Sequence, residues 1–573
     1  MKSSKLKNRF KVVSDAWHLA KPYWTGSEKG KAISLLIAII VFSLLEVYMS
    51  VRLNKWNVGF YNAIQNFDKP GFLKALYLFS ILIFSYISVI VIGFYFSSIL
   101  DVRWRKWLTN FYINDWFGSK TYYRSRFTDT YLDNPDQRIS EDIREFVQLS
   151  HSLFFGIFKS VITLASFAII LWGLSGNFKF ILFNHKFNIP GYMVWLAVLY
   201  AFIGTYIMFK IGRPLIKLNY QQQMYEADFR YNLVRVREYA EHVASYNGDE
   251  IEKKIIKKDF DNIVSNFIQT LKRNIKISLF EIFYAQISNI VPFLIAGGRY
   301  FSKEIAFGSL MQIGSAFGSV QSSISYFIFS YKMFAALRAV MDRLLGFKQT
   351  IEDVGLLPDV PIISHDKNYI EVKNLQIKLP DGQSLIDNFS LTLHEGERLL
   401  IQGSSGAGKT ILLKALNGLW PYVSGEIHKN LSSSSLFISQ KPYLPRTNLK
   451  EAICYPKFVN LPSDNEVVQI LNQCGLGNLT EKLYEIKNWD NYLSLGEQQK
   501  IAFCRVIINK PDVLYLDEIT SALDEKAESY LYGEIIQLLP NSLIISIGHR
   551  STLVALHTKV INVTDHALFK NMN

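Results

Sequence analysis

The chain has 573 residues, 49% of them hydrophobic and 14% aromatic, and its Lys and Arg outnumber Asp and Glu by 13. That length is too great for one core and asks for two or more domains. A basic surplus suits nucleic acid or an anionic membrane surface; long apolar runs before about residue 345 favour the second, because positive charge collects in the cytoplasmic loops of membrane proteins.

The first thirty residues are basic and polar and lack the short apolar core of a cleavable signal peptide. The first apolar run is therefore expected to be an uncleaved anchor. A bilayer core needs about 20 mostly apolar residues per helix. Six stretches meet that need: Ala32–Ser50, Phe72–Leu100, Ser152–Leu174, Met193–Gly212, Ile277–Ala296 and Ile313–Phe334. The sixth is rich in Gly and Ser, which suits close helix packing.

Orientation follows from loop charge. Residues 1–31 and 101–150 hold eight Lys/Arg each and 213–276 hold twelve, against three, two and two in 51–71, 175–192 and 297–316. The N-terminus, both long loops and the C-terminal half are thus expected in the cytoplasm. The long loops are charged with a helical pattern, as if the membrane helices continued below the bilayer. Glu46, Glu281 and Gln286 are polar exceptions within spans, read either as part of a substrate pathway or as interfacial residues.

Near Leu345 the pattern changes to that of soluble α/β sequence, with Pro358 and Pro361 in a linker. The expected division is a six-helix membrane domain over 1–345, a linker over 346–366 and an ATPase domain over 367–573. Tyr369–Leu379, Ser390–Leu393 and Arg398–Gln402 read as strands. The last runs into Gly403-Ser404-Ser405-Gly406-Ala407-Gly408-Lys409-Thr410, a GxxxxGK[ST] loop in a strand–loop–helix setting. Its backbone N–H groups can curl around phosphates, Lys409 can reach the β- and γ-phosphates, and the Thr410 hydroxyl can bind Mg²⁺.

Downstream, Val513–Leu516 is an apolar strand ending in Asp517-Glu518. Asp517 is expected to hold Mg²⁺ and Glu518 to polarise the attacking water. Ser494-Leu495-Gly496-Glu497-Gln498 opens a helix, where a serine hydroxyl and a glycine N–H suit an anion. Ser521–Asp524 follows the acidic pair. Gln440 ends the strand Leu436–Ser439, and His549 closes Leu543–Gly548. The three cysteines, Cys454, Cys474 and Cys504, make neither CxxC nor a metal-ligand spacing and read as buried or idle thiols.

These residues resemble the ATP-binding-cassette (ABC) family. Gly403–Thr410 resemble its Walker A loop, Gln440 its Q-loop, Leu493–Gln498 its signature motif, Val513–Glu518 its Walker B, Ser521–Asp524 its D-loop and His549 its H-loop. Leu495 stands where the usual signature core has Gly, and Glu497 stands at the fifth position. The stretch Lys378–Ile386 lacks the aromatic that many cassettes stack on adenine, leaving Leu379 or Leu385 to pack there. Gly418–Pro421, Tyr443–Pro445 and Ser494–Gln499 narrow the resemblance to the BacA/SbmA-related branch, related to the peroxisomal fatty-acyl half-transporters of ABC subfamily D. Asn134–Arg138 with Glu141-Asp142, Glu226–Arg230 with Arg235, Arg237-Glu238 and Glu241, and Asn54, Trp56, Phe60 and Tyr61 carry the same likeness in the membrane half.

The resemblance implies an exporter-type six-span membrane domain followed by an α/β P-loop ATPase, using ATP and Mg²⁺. It implies catalysis by Glu518, His549 and Gln440, with ATP held by Gly403–Thr410 of one copy and by Ser494, Gly496, Glu497 and Gln498 of a second. Thr410, Gln440 and Asp517 would serve the metal, and Asp136, Glu141, Asp142, Glu226, Arg230 and Glu238 would couple the domains. The expected partners are a second copy of the chain, membrane lipids and a transported small molecule or peptide, with no nucleic acid. A bacterial inner membrane is the expected location. Import of hydrophilic solutes such as peptides or cobalamin is the leading expectation; export or flipping of lipids or amphiphiles, or a non-transporting regulator, are the alternatives.

Overall fold

The computed structural model describes residues 2–128, 134–182, 185–366, 368–563 and 570–571. The chain forms two compact units, Met1–Tyr122 with Tyr131–Glu352, and Tyr123–Thr130 with Asp353–Asn573.

The first unit is built from long helices: α1 (Lys2–Thr25), α2 (Lys29–Gln65), α3 (Lys69–Phe117), α4 (Ile143–Ser175), α5 (Tyr192–Glu238), α6 (Asp249–Phe301), α7 (Phe307–Phe329) and α8 (Tyr331–Leu356). Among the described residues, five helices are long and apolar enough to cross a membrane; they contain the first five predicted spans. Large apolar side chains lie on their outer surfaces, as with Phe84, Ile169 and Leu294, each 75% exposed. That arrangement is stable where hydrocarbon replaces water and every backbone group is bonded within its own helix. The sixth predicted span, Ile313–Phe334, instead straddles α7 and α8, which meet at Ser330. Its Gly, Ser and Gln lower its hydropathy, and one face packs against the other helices through Ile313, Ala316, Phe317 and Val320. The helices α3, α5 and α6 run far beyond their apolar windows into charged sequence, as the loop pattern predicts. Helix α8 continues through 346–356, so the first part of the expected linker is helical.

Several charged and polar groups inside this unit are paired. Lys159 on α4 donates to Glu46 on α2 at 2.5 Å. Ser97 and Asp101 on α3 hold the buried His151 ring of α4 at 2.8 and 2.5 Å. Asp142, 1% exposed, is clamped by Arg138 at 2.7 Å and by Arg343 of α8 at 2.5 Å.

The second unit has two sheets. The strands are β1 (Ile362–Ser364), β2 (Tyr369–Lys378), β3 (Ser384–His394), β4 (Arg398–Gly403), β5 (Val423–Lys429), β6 (Ser435–Ile438), β7 (Val513–Asp517), β8 (Leu543–Ile547), β9 (Lys559–Val563) and β10 (Lys570–Asn571). One sheet runs β10-β9-β4-β8-β7-β6, parallel except for β10, and the other runs β1-β5-β2-β3. Strands β7 and β8 are buried along their whole length, which explains their unbroken apolar runs. Each such Leu, Ile or Val contributes about 1.5–3 kcal/mol by leaving water. Around the sheets lie α9 (Lys409–Leu416), α10 (Leu449–Cys454), α11 (Asp464–Gln473), α12 (Leu495–Asn509), α13 (Glu525–Leu538) and α14 (Ser551–Leu556). All three cysteines are buried and free. Residues from the first long loop belong to this unit: the Phe127 ring lies 5.0 Å from Trp420, and its carbonyl accepts from the Tyr422 hydroxyl at 2.7 Å.

Candidate functional site

Parallel pairing brings the carboxyl ends of separate strands to one edge of a sheet, where open α/β proteins hold ligands. Ile547 of β8 pairs with Asp517 of β7 and with Ile401 of β4, and Ile438 of β6 pairs with Leu516. Residues distant in sequence are thereby collected: the 403–410 loop after β4, Gln440 after β6, Asp517-Glu518 at the end of β7 and His549 after β8.

The 403–410 loop is held open by glycine. Gly403 has φ 143°, and a Cβ there would stand 2.1 Å from the Val563 carbonyl oxygen; Gly408 has φ 87° and lies against Leu385. Helix α9 starts at Lys409, so its free N–H groups and positive dipole end face the loop. Ser404, Ser405 and Gly406 are exposed, and Ala407 is buried. Lys409 Nζ donates to the carbonyls of Gly403 and Ser404, both at 2.7 Å. Burial lowers its pKa, against the opposing pull of Glu518 and Asp517. Thr410 Oγ1 donates to Asp517 Oδ1 at 3.1 Å. Burial pushes the Asp517 carboxyl up and the Thr410 bond draws it down. A divalent cation would reverse that burial penalty, so the Thr410–Asp517 pair fits Mg²⁺.

Glu518 is surrounded by the other strand-end residues. Gln440 Nε2 donates to Glu518 Oε2 at 3.2 Å, and His549 Nε2 lies 3.4 Å from Glu518 Oε1. Glu518 has φ 51°, a conformation costly for a residue with a side chain.

The Ser494–Gln498 segment is placed elsewhere in the unit. Ser494 caps α12 in a capping box, with its hydroxyl donating to Glu497 Oε2 at 2.8 Å. Gly496 packs where a Cβ would meet the Ala522 carbonyl oxygen at 3.2 Å. Gln498 is 3% exposed and donates to the carbonyls of Asp490 and Leu493, so its side chain faces the interior of its own lobe and not an exposed anion. Ser494 presents an exposed helix start.

The residues expected to couple the domains lie in the helical unit. Asp142 is buried in its arginine clamp, and Glu141 accepts from Gln137 at 3.1 Å. Asp136, Glu226, Arg230 and Glu238 are exposed. Glu238 borders a cavity of ≈ 500 Å³ at the end of the α5–α6 hairpin, with Tyr231, Arg235 and Tyr239.

Residues 19–301 match the family model described as ABC transporter transmembrane region 2, and residues 386–521 match the one described as ABC transporter. The chain is 38% identical to an uncharacterized ABC transporter ATP-binding protein of Haemophilus influenzae, covering 96% of this chain and 92% of that one. It is 34% identical to the inner membrane ABC transporter ATP-binding protein YddA of Escherichia coli, over 93% and 94%. The human lysosomal cobalamin transporter ABCD4 is 25% identical over 92% and 91%. A solved bacterial Atm1-family ABC exporter with ATP bound shares the fold, with TM-score 0.70 and 15% identity over 93% and 94% of the two chains.

Proposed function

This chain belongs to the ABC transporter family, with membrane region and ATPase fused, and from that premise we propose that two identical copies form an ATP-driven transporter of hydrophilic solutes. It binds ATP, generally with Mg²⁺, and hydrolyses it. The observation that carries the reading is the meeting of Gln440, Glu518 and His549 beside the 403–410 loop, in a chain with five membrane-length helices among its described residues.

That geometry supports the following residue roles. The backbone of Gly403–Gly408 and the start of α9 cradle the phosphates, and Lys409 neutralises their charge. Thr410 and Asp517 would hold Mg²⁺, which when bound would offset phosphate charge, and Gln440, beside Glu518, would complete the metal's surroundings. Glu518 accepts the proton of the water that attacks the terminal phosphorus, and the phosphorus–oxygen bond to the departing ADP breaks. His549 orients that carboxylate. Ser494 and Gly496, exposed or near the surface at the start of α12, serve the nucleotide of the second copy; Glu497 fixes Ser494 through the capping box.

Homodimerisation is supported by the charged half of the α5–α6 hairpin. Tyr231, Ile251, Phe260 and Phe267 there are more than half exposed, outside the apolar windows. Such surface in a water-facing segment is stable when a second protein covers it. The N-terminus and ATPase face the cytoplasm of a bacterial inner membrane, by the loop-charge asymmetry and the likeness to YddA. The branch is BacA/SbmA-related, and the cargo is a hydrophilic compound such as a peptide or cobalamin, taken inward. Support for the cargo comes from the exposed Ser315 and Ser322 on α7, the Glu46–Lys159 pair, and the likeness to a cobalamin transporter.

Proteoliposomes with the ATPase facing the bath test this. ATP added outside should drive preloaded labelled cobalamin or peptide out of the lumen, towards the cytoplasmic side. ATP-dependent movement of a lipid or fatty-acyl probe alone would sink the cargo assignment, and ATPase activity indifferent to every solute would favour a regulator.

A further inference from the structure

One turn into α12 stands a glutamine to which the roles above assign nothing. Gln499 is 0% exposed. A buried amide must place its donors and acceptor or forfeit their hydration. Gln499 places them on two segments far away in sequence. Its Nε2 donates to the main-chain carbonyl of Gln440 and to Ser521 Oγ, both at 3.0 Å. Its Oε1 accepts from the Ala522 N–H, also at 3.0 Å. Ser521 Oγ lies in turn 3.4 Å from Gln440 Nε2, the amide that reaches Glu518. The segment after β6, the turn after β7 and the start of α12 therefore converge on one side chain.

We infer that Gln499 is a positioning residue for hydrolysis. It holds the Gln440 main chain and the Ser521-Ala522 turn in one register, and so sets where the Gln440 amide stands against the Glu518 carboxylate. Because it sits on α12, it ties that register to the helix whose exposed end carries Ser494. This inference rests on the roles proposed for Glu518 and Gln440. A purely structural glutamine would also satisfy the same buried groups, but its loss would lower stability without a selective effect on turnover. The bonds of Gln499 do not include the 403–410 loop, so nucleotide affinity should be spared.

The test is steady-state ATPase kinetics of the full-length dimer in nanodiscs. Gln499→Leu, which removes the donors and the acceptor at similar size, should lower kcat about 10- to 100-fold with KM for ATP within about threefold. Ser521→Ala, a smaller change that keeps the fold if Gln499→Leu does not, should lower kcat about 3- to 10-fold at unchanged KM. Both losses should vanish in a Gln440→Ala background, since Gln499 acts through the placement of Gln440. Normal kcat in the single variants, or losses that multiply with Gln440→Ala, would overturn the inference. Glu518→Gln is measured beside them. If it keeps turnover, the catalytic reading itself fails; if it is inactive while Gln499→Leu is normal, only the role of Gln499 fails.

Discussion

Glu518 holds a left-handed backbone conformation because β7 ends there and its N–H must still reach the Ile547 carbonyl oxygen, at 3.2 Å. The twist turns its carboxylate toward Gln440 and His549, so strain is spent where orientation matters. Glu518→Gln should keep ATP affinity within about threefold and cut turnover about 100-fold or more, because an amide accepts no proton from water. Phosphate release beside equilibrium ATP binding checks both halves of that statement. A second residue-scale consequence concerns pH. His557 is buried, with Nδ1 at 2.7 Å from the Leu553 carbonyl oxygen and Nε2 at 2.9 Å from Ser546 Oγ. Burial holds its pKa below the ordinary 6.5, despite the Leu553 bond. The folded state thus binds this proton less readily than the unfolded chain does. The stability it contributes is complete above the ordinary value and is lost as pH falls through the lower folded one. Melting temperature should drop between about pH 7.5 and about pH 5.5, and His557→Gln should flatten that part of the dependence. An unchanged slope in the variant would assign the acid sensitivity elsewhere.

Helix ends decide much at the scale of elements. Asp142 was legible in the sequence only as part of a charged motif; its arginine clamp needs Arg343, which lies on α8. A carboxylate at 1% exposure is stable only while both cations stay. Asp142→Ala should cost about 3–5 kcal/mol, since it removes the buried carboxylate that both Arg138 and Arg343 bond. Thermal unfolding of the detergent-solubilised protein measures this. If Asp142 also couples the units, transport should fall further than ATPase activity in Asp142→Asn. The sixth span shows the opposite limit. Its boundaries were drawn on hydropathy, and the helix actually begins at Phe307 because Gly308 and its neighbours dock on α2, where the Gly308 N–H donates to Asn62 at 2.8 Å. Packing against a neighbouring helix, and not hydropathy, sets that end.

At the scale of the whole molecule, the proposed second copy would meet the exposed start of α12 and the exposed apolar residues of the α5–α6 hairpin. A half-transporter of this fold typically works as a dimer. On the proposal that each site borrows Ser494 from a second copy, mixing an inactive Glu518→Gln chain with wild-type chains should reduce ATPase activity by more than the fraction of mutant added. A strictly proportional loss would mean that each chain hydrolyses ATP alone.

A helical membrane domain followed by an ATPase was legible in the amino-acid sequence, and the loop 403–410, Asp517, Glu518 and His549 stood out there as the candidate site. Span length, loop charge and a glycine-rich turn between strand and helix are local demands that local sequence must meet. The bonds of Gln498 and Gln499 were not legible, because adjacent glutamines on a helix point in different directions and only the surrounding fold decides which bonds each makes. Gln498 turns back to its own loop, while Gln499 joins segments brought together by the register of β6, β7 and β8. The tertiary structure alone also paired Glu46 with Lys159 and Asp142 with Arg343, since a charge in a buried place finds its partner through space and not along the chain.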